Sequence, residues 1–398
     1  GWRGYNGQLD ITTLNLDTDA LKIDGRLSVN DQGAPQLVDL QVDFGQQAGA
    51  ATLPVKIPFV DPPITVLSGE LAVGLDVSKG PDWSLNGWLT EIDREGSRVA
   101  RLDLDGQGRL NEAVDGALQK DTGTFSFDAS GIQLVSEKLQ KVIGDQISGK
   151  TSFEFTPGQV LALTGMQISG KDYGLDGALT VDGLTSGIVL STAQLIARHD
   201  DLSNLSELAG RQLSGRAEAD LAGYYQVLTG AFNVEGRVTG TDLTVDEPRM
   251  DRLLAGQSTI DISAGRTEDG TELRELTVNA QRISLTANGH LTGDNVDLTA
   301  NFNMPTLADL DPAFEGALTA QAHLTGAPGT RRVALNGKAM GLKTGIAALD
   351  GAYSGQSDLT ATVQEQEGGT FNLTGLELKK PQLALTGGGS FAGGDVDG

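Results

Sequence analysis

Cysteine is absent from all 398 residues, which removes disulfides, thiolate metal sites and thiol redox chemistry. Aromatic side chains are scarce: 11 Phe, 5 Tyr and 3 Trp make up 5% of the chain. Positive charge is short as well, with 29 Lys+Arg against 53 Asp+Glu and a formal net charge of −24. A surface this acidic repels nucleic acid and anionic headgroups, so an electrostatic nucleic-acid binder is excluded. No apolar run approaches the ~18 residues of a membrane-spanning helix, and residues 1–20 lack the basic, apolar and small-residue series of a secretory leader. The sequence opens on Gly1 and closes on a glycine-rich stretch, and is read as a piece of a longer protein. Apolar residues at 38% can cover faces but not fill one thick core.

Chemical motifs are also missing. His199, His290 and His323 stand far apart, with no pair at metal-ligand spacing. Asp103-Leu104-Asp105-Gly106-Gln107-Gly108 lacks the closing Glu of a calcium loop, and Gly387 to Gly398 lacks an iterated nonapeptide, so both are read as turns. There is no Gly-x-Ser-x-Gly elbow, phosphate loop or dinucleotide fingerprint. No catalytic residue, metal or cofactor is expected, and the chain is not read as an enzyme.

What is present is alternation. Leu40, Val42, Phe44; Leu71, Val73, Leu75, Val77; Phe125, Phe127; and Ile260, Ile262 place an apolar residue at every second position, with Asp, Asn, Gln, Ser, Thr or Arg between. Side chains of a strand point to opposite faces in turn, so these runs predict an antiparallel meander with one apolar and one polar face. Asp24-Gly25, Asn86-Gly87, Asp176-Gly177, Asp182-Gly183, Asn288-Gly289 and Asn336-Gly337 are read as hairpin turns. Helix signals are few: Ser136 to Gly144, Glu247 to Gly256, and Leu202 to Leu208.

Self-comparison finds four ordered matches between residues 213–289 and 314–389, at offsets of 99 to 101. Ala255-Gly256-Gln257-Ser258 returns as Ser354-Gly355-Gln356-Ser357, and Ile283 to Gly289 returns as Leu383 to Gly389. A repeated β unit grows along one axis. The divisions read from this are an N-terminal β segment at 1–67, a unit at 68–198 with a short helix near 136–143, a unit at 199–298 and a truncated one at 299–398. Roughly 30 strands are expected, in a sheet that curls because long flat sheets are unfavourable.

Asp200 to Ala209, leading into Gly210-Arg211-Gln212-Leu213-Ser214-Gly215, carries a resemblance. So do the strand pair at Val234 to Val238 ahead of Pro248-Arg249-Met250-Asp251-Arg252-Leu253-Leu254-Ala255-Gly256, and the run from Asp269-Gly270 through Leu273 to Leu291. Leu53-Pro54-Val55-Lys56-Ile57-Pro58 to Leu71 is similar to an earlier part of the same proteins. In order and spacing these resemble the TamB family, of the AsmA-like group of bacterial envelope proteins, over most of residues 50–391. The family's N-terminal membrane anchor and C-terminal domain have no counterpart here.

The resemblance implies an all-β, elongated, curled, taco-like sheet in the periplasm, anchored in the inner membrane in the full-length protein. Its apolar groove would bridge the two membranes, carry phospholipid acyl chains and support outer-membrane biogenesis with a TamA-type assembly barrel. The lining candidates are Phe153, Phe155, Leu175, Leu179, Ile260, Ile262, Val278, Ile283, Leu285, Leu359 and Leu385. Alternation alone leaves a two-layer sandwich open as the other solution. A structural tether and an extracellular adhesin-like repeat protein are the rival functional readings.

Overall fold

Every second residue being apolar makes a backbone stable only where those side chains gather on one side, and the chain folds accordingly. The computed structural model describes residues 2–5, 7–45, 53–57, 60–112, 118–183, 187–343, 350, 355–366, 370–381 and 383–392. Pro58, Ser354 and the Gly393 to Gly398 end of the glycine-rich stretch lie outside the described residues. The chain is all-β with a few short helices, and divides into two units, Gly1–Arg198 and His199–Gly398. Twenty-five strands are found among the described residues, fewer than the 30 expected, because several run to 13 or 16 residues through predicted turns.

The first unit contains β1 (Trp2–Tyr5), β2 (Gln8–Asp17), β3 (Leu21–Val29), β4 (Pro35–Phe44), β5 (Val55–Ile57), β6 (Ile64–Val66) and β7 (Ser68–Asp76). β8 (Asp82–Arg94), β9 (Ser97–Glu112), β10 (Leu118–Gln133), α1 (Glu137–Ile143), β11 (Gln146–Thr156), β12 (Val160–Gly170), β13 (Tyr173–Asp182) and β14 (Val189–His199) follow, the last reaching the boundary. Each strand from β1 to β4 pairs antiparallel with the next, β4 pairs with β7, and pairing then runs in sequence to β13. The β5–β6 hairpin leaves this order and joins β8 through Thr65 opposite Asp93.

The second unit opens with a 3₁₀ turn (Leu202–Leu205) and α2 (Ser206–Ala209). Next come β15 (Ser214–Gln226), β16 (Phe232–Thr244), α3 (Pro248–Leu254), β17 (Gln257–Thr267), β18 (Gly270–Ala280), β19 (Ser284–Thr292) and β20 (Asn295–Met304). A second 3₁₀ turn (Leu307–Asp309) precedes β21 (Glu315–Gly326), β22 (Arg332–Lys343), β23 (Gln356–Glu365), β24 (Thr370–Lys380) and β25 (Leu383–Ala392). From β15 to β25 every strand pairs antiparallel with its successor.

The helices start and stop where their caps dictate. Ser136 Oγ accepts the Leu139 N–H ahead of α1, and Gly144 ends that helix at φ 78°. Glu247 caps α3, its carboxylate accepting the Met250 N–H at 2.7 Å, with Pro248 in the first turn, where no N–H is required.

The Asx-Gly pairs are a correction. Only Asp182-Gly183 ends a strand; Asp24-Gly25, Asn86-Gly87, Asp176-Gly177, Asn288-Gly289 and Asn336-Gly337 lie inside β3, β8, β13, β19 and β22. The glycine answers a close approach instead of a turn. A Cβ on Gly25 would collide with Asp39 O and stand 2.8 Å from Leu40 Cδ2, and one on Gly87 would collide with Glu70 O. The neighbouring strand's backbone and an adjacent leucine occupy the space a side chain would need.

Among the described residues of each unit, one long edge of the sheet carries the insertions and the other carries turns. The β4–β7 connection and α1 lie at the edge where Phe44, Gly69, Leu89, Leu102 and Ala129 pair in succession. In the second unit α3 and the Leu307–Asp309 turn lie at the edge marked by Ser258, Ala280, Ser284 and Asn303. Two apolar clusters form there. Phe44, Val66 and Leu89 are buried with Val55, Ile57 and Ile64 of the β5–β6 hairpin against them. Leu253 of α3, Met304 and Leu307 make the second, joined by Ile283, Phe302, Leu310, Leu318 and Leu342.

Candidate functional site

Antiparallel register puts directly opposed residues on the same face, so the pairing can be followed sideways, strand to strand. In the second unit Ala219 of β15 opposes Val238, which opposes Ile260, Val278, Leu285 and Phe302 in turn. The row continues through Ala320, Gly337, Leu359, Leu378 and Leu385 of β25. It crosses eleven strands without a polar side chain, about 48 Å at ordinary strand spacing. A parallel row toward the hairpin edge runs from Val234 through Ala264, Leu273, Gly289, Leu298, Leu324 and Val333 to Val363 and Leu373.

The intervening residues make a face of opposite character. Arg237, Asp261, Thr277, Thr286, Asn301, Gln321, Asn336, Thr360 and Glu377 oppose one another in order. Arg237 Nε meets Asp261 Oδ1 at 2.5 Å, and Gln321 Nε2 donates to Asn301 Oδ1 at 3.0 Å. These contacts are solvent-exposed and add little stability individually; their consequence is wettability.

The first unit repeats the division. Ile11, Leu27, Val38, Leu75, Trp83, Gly108, Gly123, Phe153, Leu163 and Leu179 form one row from β2 to β13. Another contains Ile23, Val42, Leu71, Gly87, Leu104, Phe127, Gly149, Ile168 and Leu175. Large residues lie over glycines of the next strands. A Cβ on Gly108 would stand 2.6 Å from Trp83 Cζ2, and one on Gly149 2.6 Å from Phe127 Cε1. The indole therefore rests on the sheet floor, 6.0 Å centroid to centroid from the Phe153 ring.

Above this floor is a cavity of ≈ 570 Å³ bordered by side chains of β4, β7, β8, β9, β10, β11 and β12. Val38 of β4 and Leu163 of β12, six strand positions apart, line the same space, which a flat sheet would hold roughly 29 Å apart. The space lies on the apolar side of the sheet.

The predicted residues fall as follows. Ile260, Val278, Leu285, Leu359 and Leu385 share the eleven-strand row, and Ile262 occupies the adjacent one, opposite Leu276. Phe153 and Leu179 share a row of the first unit, Leu175 lies in its neighbour, and Phe155 opposes Asp121 and Leu161. Ten of these are half-buried and Leu385 is exposed at 37%. Ile283 differs, packing against the Leu253–Met304–Leu307 cluster at the insertion edge.

Trp83, Phe125, Phe302 and Leu378 belong to the same faces and were absent from the predicted set. Their signal was present, since Phe302 alternates with Val296, Leu298, Ala300 and Met304. Asp121 is the other omission. It shares parity with Gly123, Phe125 and Phe127, which puts a carboxylate on the apolar side. Its Oδ1 accepts the Trp83 Nε1–H at 2.8 Å, and burial pushes its pKa up, partly opposed by hydrogen bonds from Trp83 and the Thr122 backbone.

Comparison of the chain with protein-family models, with curated proteins and with solved structures finds no match in any of the three. Among the described residues no group of three or more His, Asp or Glu could hold a metal ion, and no helix is long and apolar enough to cross a membrane.

Proposed function

We propose that the apolar faces are the floor of a lipid conduit, in which acyl chains lie across the strands and headgroups remain in water along the hairpin edge. The observation that carries this is the eleven-strand row, in which every large side chain except the buried Leu378 stays half-buried or exposed. Covering one CH₂ contributes about 0.8 kcal/mol, so a two-chain lipid gains on the order of 10 kcal/mol, enough to offset leaving a bilayer. Leu, Ile, Val and Ala give a smooth floor without deep wells, which suits passage.

The finer architecture belongs to this reading: a taco-like groove built from β units of about 100 residues. Irregularities of register support the repeat. They fall between Ser214 and Arg216 and again between Glu315 and Ala317, and between Leu273 and Leu276 and again between Leu373 and Leu376. Together with the resemblance to TamB proteins, this supports a periplasmic bridge between inner and outer membranes. Such a bridge would supply phospholipid for outer-membrane biogenesis alongside a TamA-type barrel.

The test is site-specific photo-crosslinking in the envelope. A crosslinker at Ile260, Leu285 or Leu359 is expected to capture phospholipid, and one at Thr286 or Thr360 on the opposite face to capture none. Equal labelling of both faces, or none at either, would leave a stiff tether as the better account.

A further inference from the structure

The conduit reading explains the apolar rows but not the carboxylate among them. Asp121 lies on β10 at the hairpin edge of the ≈ 570 Å³ cavity, flanked in register by Leu110 and Phe155. No Lys or Arg among the described residues forms an ion pair with it. Lys120 pairs with Glu154 and Arg109 with Asp82 instead. A half-buried carboxylate without a counter-charge is costly. Here the Trp83 N–H holds it in place, while the indole itself spreads over Gly108 and Gly123 as part of the cavity wall.

A carboxylate beside an aromatic face is the pairing that recognises an organic ammonium, by charge-assisted hydrogen bonds and by cation–π attraction. We propose that Asp121 and Trp83 form a headgroup subsite for a phospholipid bearing a primary ammonium, with its acyl chains over Phe153 and Leu163. This deepens the conduit reading and rests on it. The position fits: the hairpin edge is where a headgroup must emerge if the chains lie on the floor. The ammonium would supply the positive charge that no side chain provides, and an anionic headgroup would meet repulsion at the same point.

The experiment loads the purified protein from vesicles of phosphatidylethanolamine or phosphatidylglycerol with identical acyl chains, and counts bound lipid by native mass spectrometry. The wild type is expected to take up the ethanolamine lipid with roughly tenfold preference, the range of one charge-assisted contact. Asp121→Asn keeps an acceptor for the indole and should abolish the preference, lowering ethanolamine-lipid uptake and raising phosphatidylglycerol uptake until the two are alike. Trp83→Phe keeps an aromatic ring over the glycines, loses the N–H, and should reduce the preference independently. Equal uptake of both lipids by wild type and variants would overturn the subsite while leaving the conduit standing. No uptake of either lipid by the wild type would overturn the conduit itself.

Discussion

At the scale of single residues, the position of a side chain relative to the pleat decides its role more than its chemistry does. Leu285 is half-buried between Val278 and Phe302; Thr286, one step along, faces water between Thr277 and Asn301. Leu285→Glu is therefore expected to stop lipid crosslinking and transfer while leaving the far-UV circular dichroism of the sheet unchanged. Loss of the β spectrum would instead mark Leu285 as packed core. Gly87 makes the opposite case. Gly87→Val would drive a branched side chain into Glu70 O and Leu71, so a cost of about 3 kcal/mol or more is expected in denaturant unfolding.

Asp121 gives a pH-dependent expectation. Burial raises its folded-state pKa above the unfolded value, so the ionised form weakens the fold at neutral pH. Protonation removes that cost as the pH falls through the folded pKa. Asp121→Asn should accordingly be at least as stable as the wild type at pH 7. The difference should shrink through the folded pKa and vanish below the unfolded one. Parallel thermal melts across that window measure it; a difference that widens on acidification would contradict the assignment.

At the scale of elements, the strands and the three helical stretches were legible because each has a local physical cause. Alternation sets the strands, and Ser136, Pro248 and the glycines after the helices set their ends. The Asx-Gly pairs misled for an equally physical reason. A glycine can be required by φ in a turn or by a neighbour's backbone inside a strand, and dipeptide identity does not separate the two. Register separates them, and register is a property of two strands at once. Parity made the apolar face legible for ten candidates, whereas the packing of Ile283 needed knowledge that α3 folds over its end of the sheet. Leu253, 2% exposed on α3, is the anchor of that arrangement. Leu253→Ala should cost about 2–5 kcal/mol and expose Ile283 and Met304, measurable as a lowered unfolding midpoint.

At the scale of the whole molecule, both units are described by one rule: one face apolar, one face polar, insertions along one edge. Gly256 and Gly355 occupy matching places, at φ 84° and 87°, and accept corresponding backbone hydrogen bonds from Asp242 and Gly341. Removing residues 257–355 and joining Gly256 to Gln356 would put Leu359 opposite Val238, as Ile260 is now, and preserve the apolar row. The shortened protein is expected to fold with unchanged strand signature and to bind lipid. If reach between two membranes matters, it should fail to support transfer in the cell. Normal transfer by the shortened chain would remove distance from the function.

The asymmetry of the two long edges has a consequence for traffic. Within each unit, a short helix or the β5–β6 hairpin lies along one edge, whereas among the described residues the other edge carries turns. If the proposed conduit operates, cargo on such a floor would need no threading through a terminal mouth. A molecule would step on or off sideways along the open edge of a unit, so a blockage at one point would slow those already behind it without sealing the road to later arrivals beyond it.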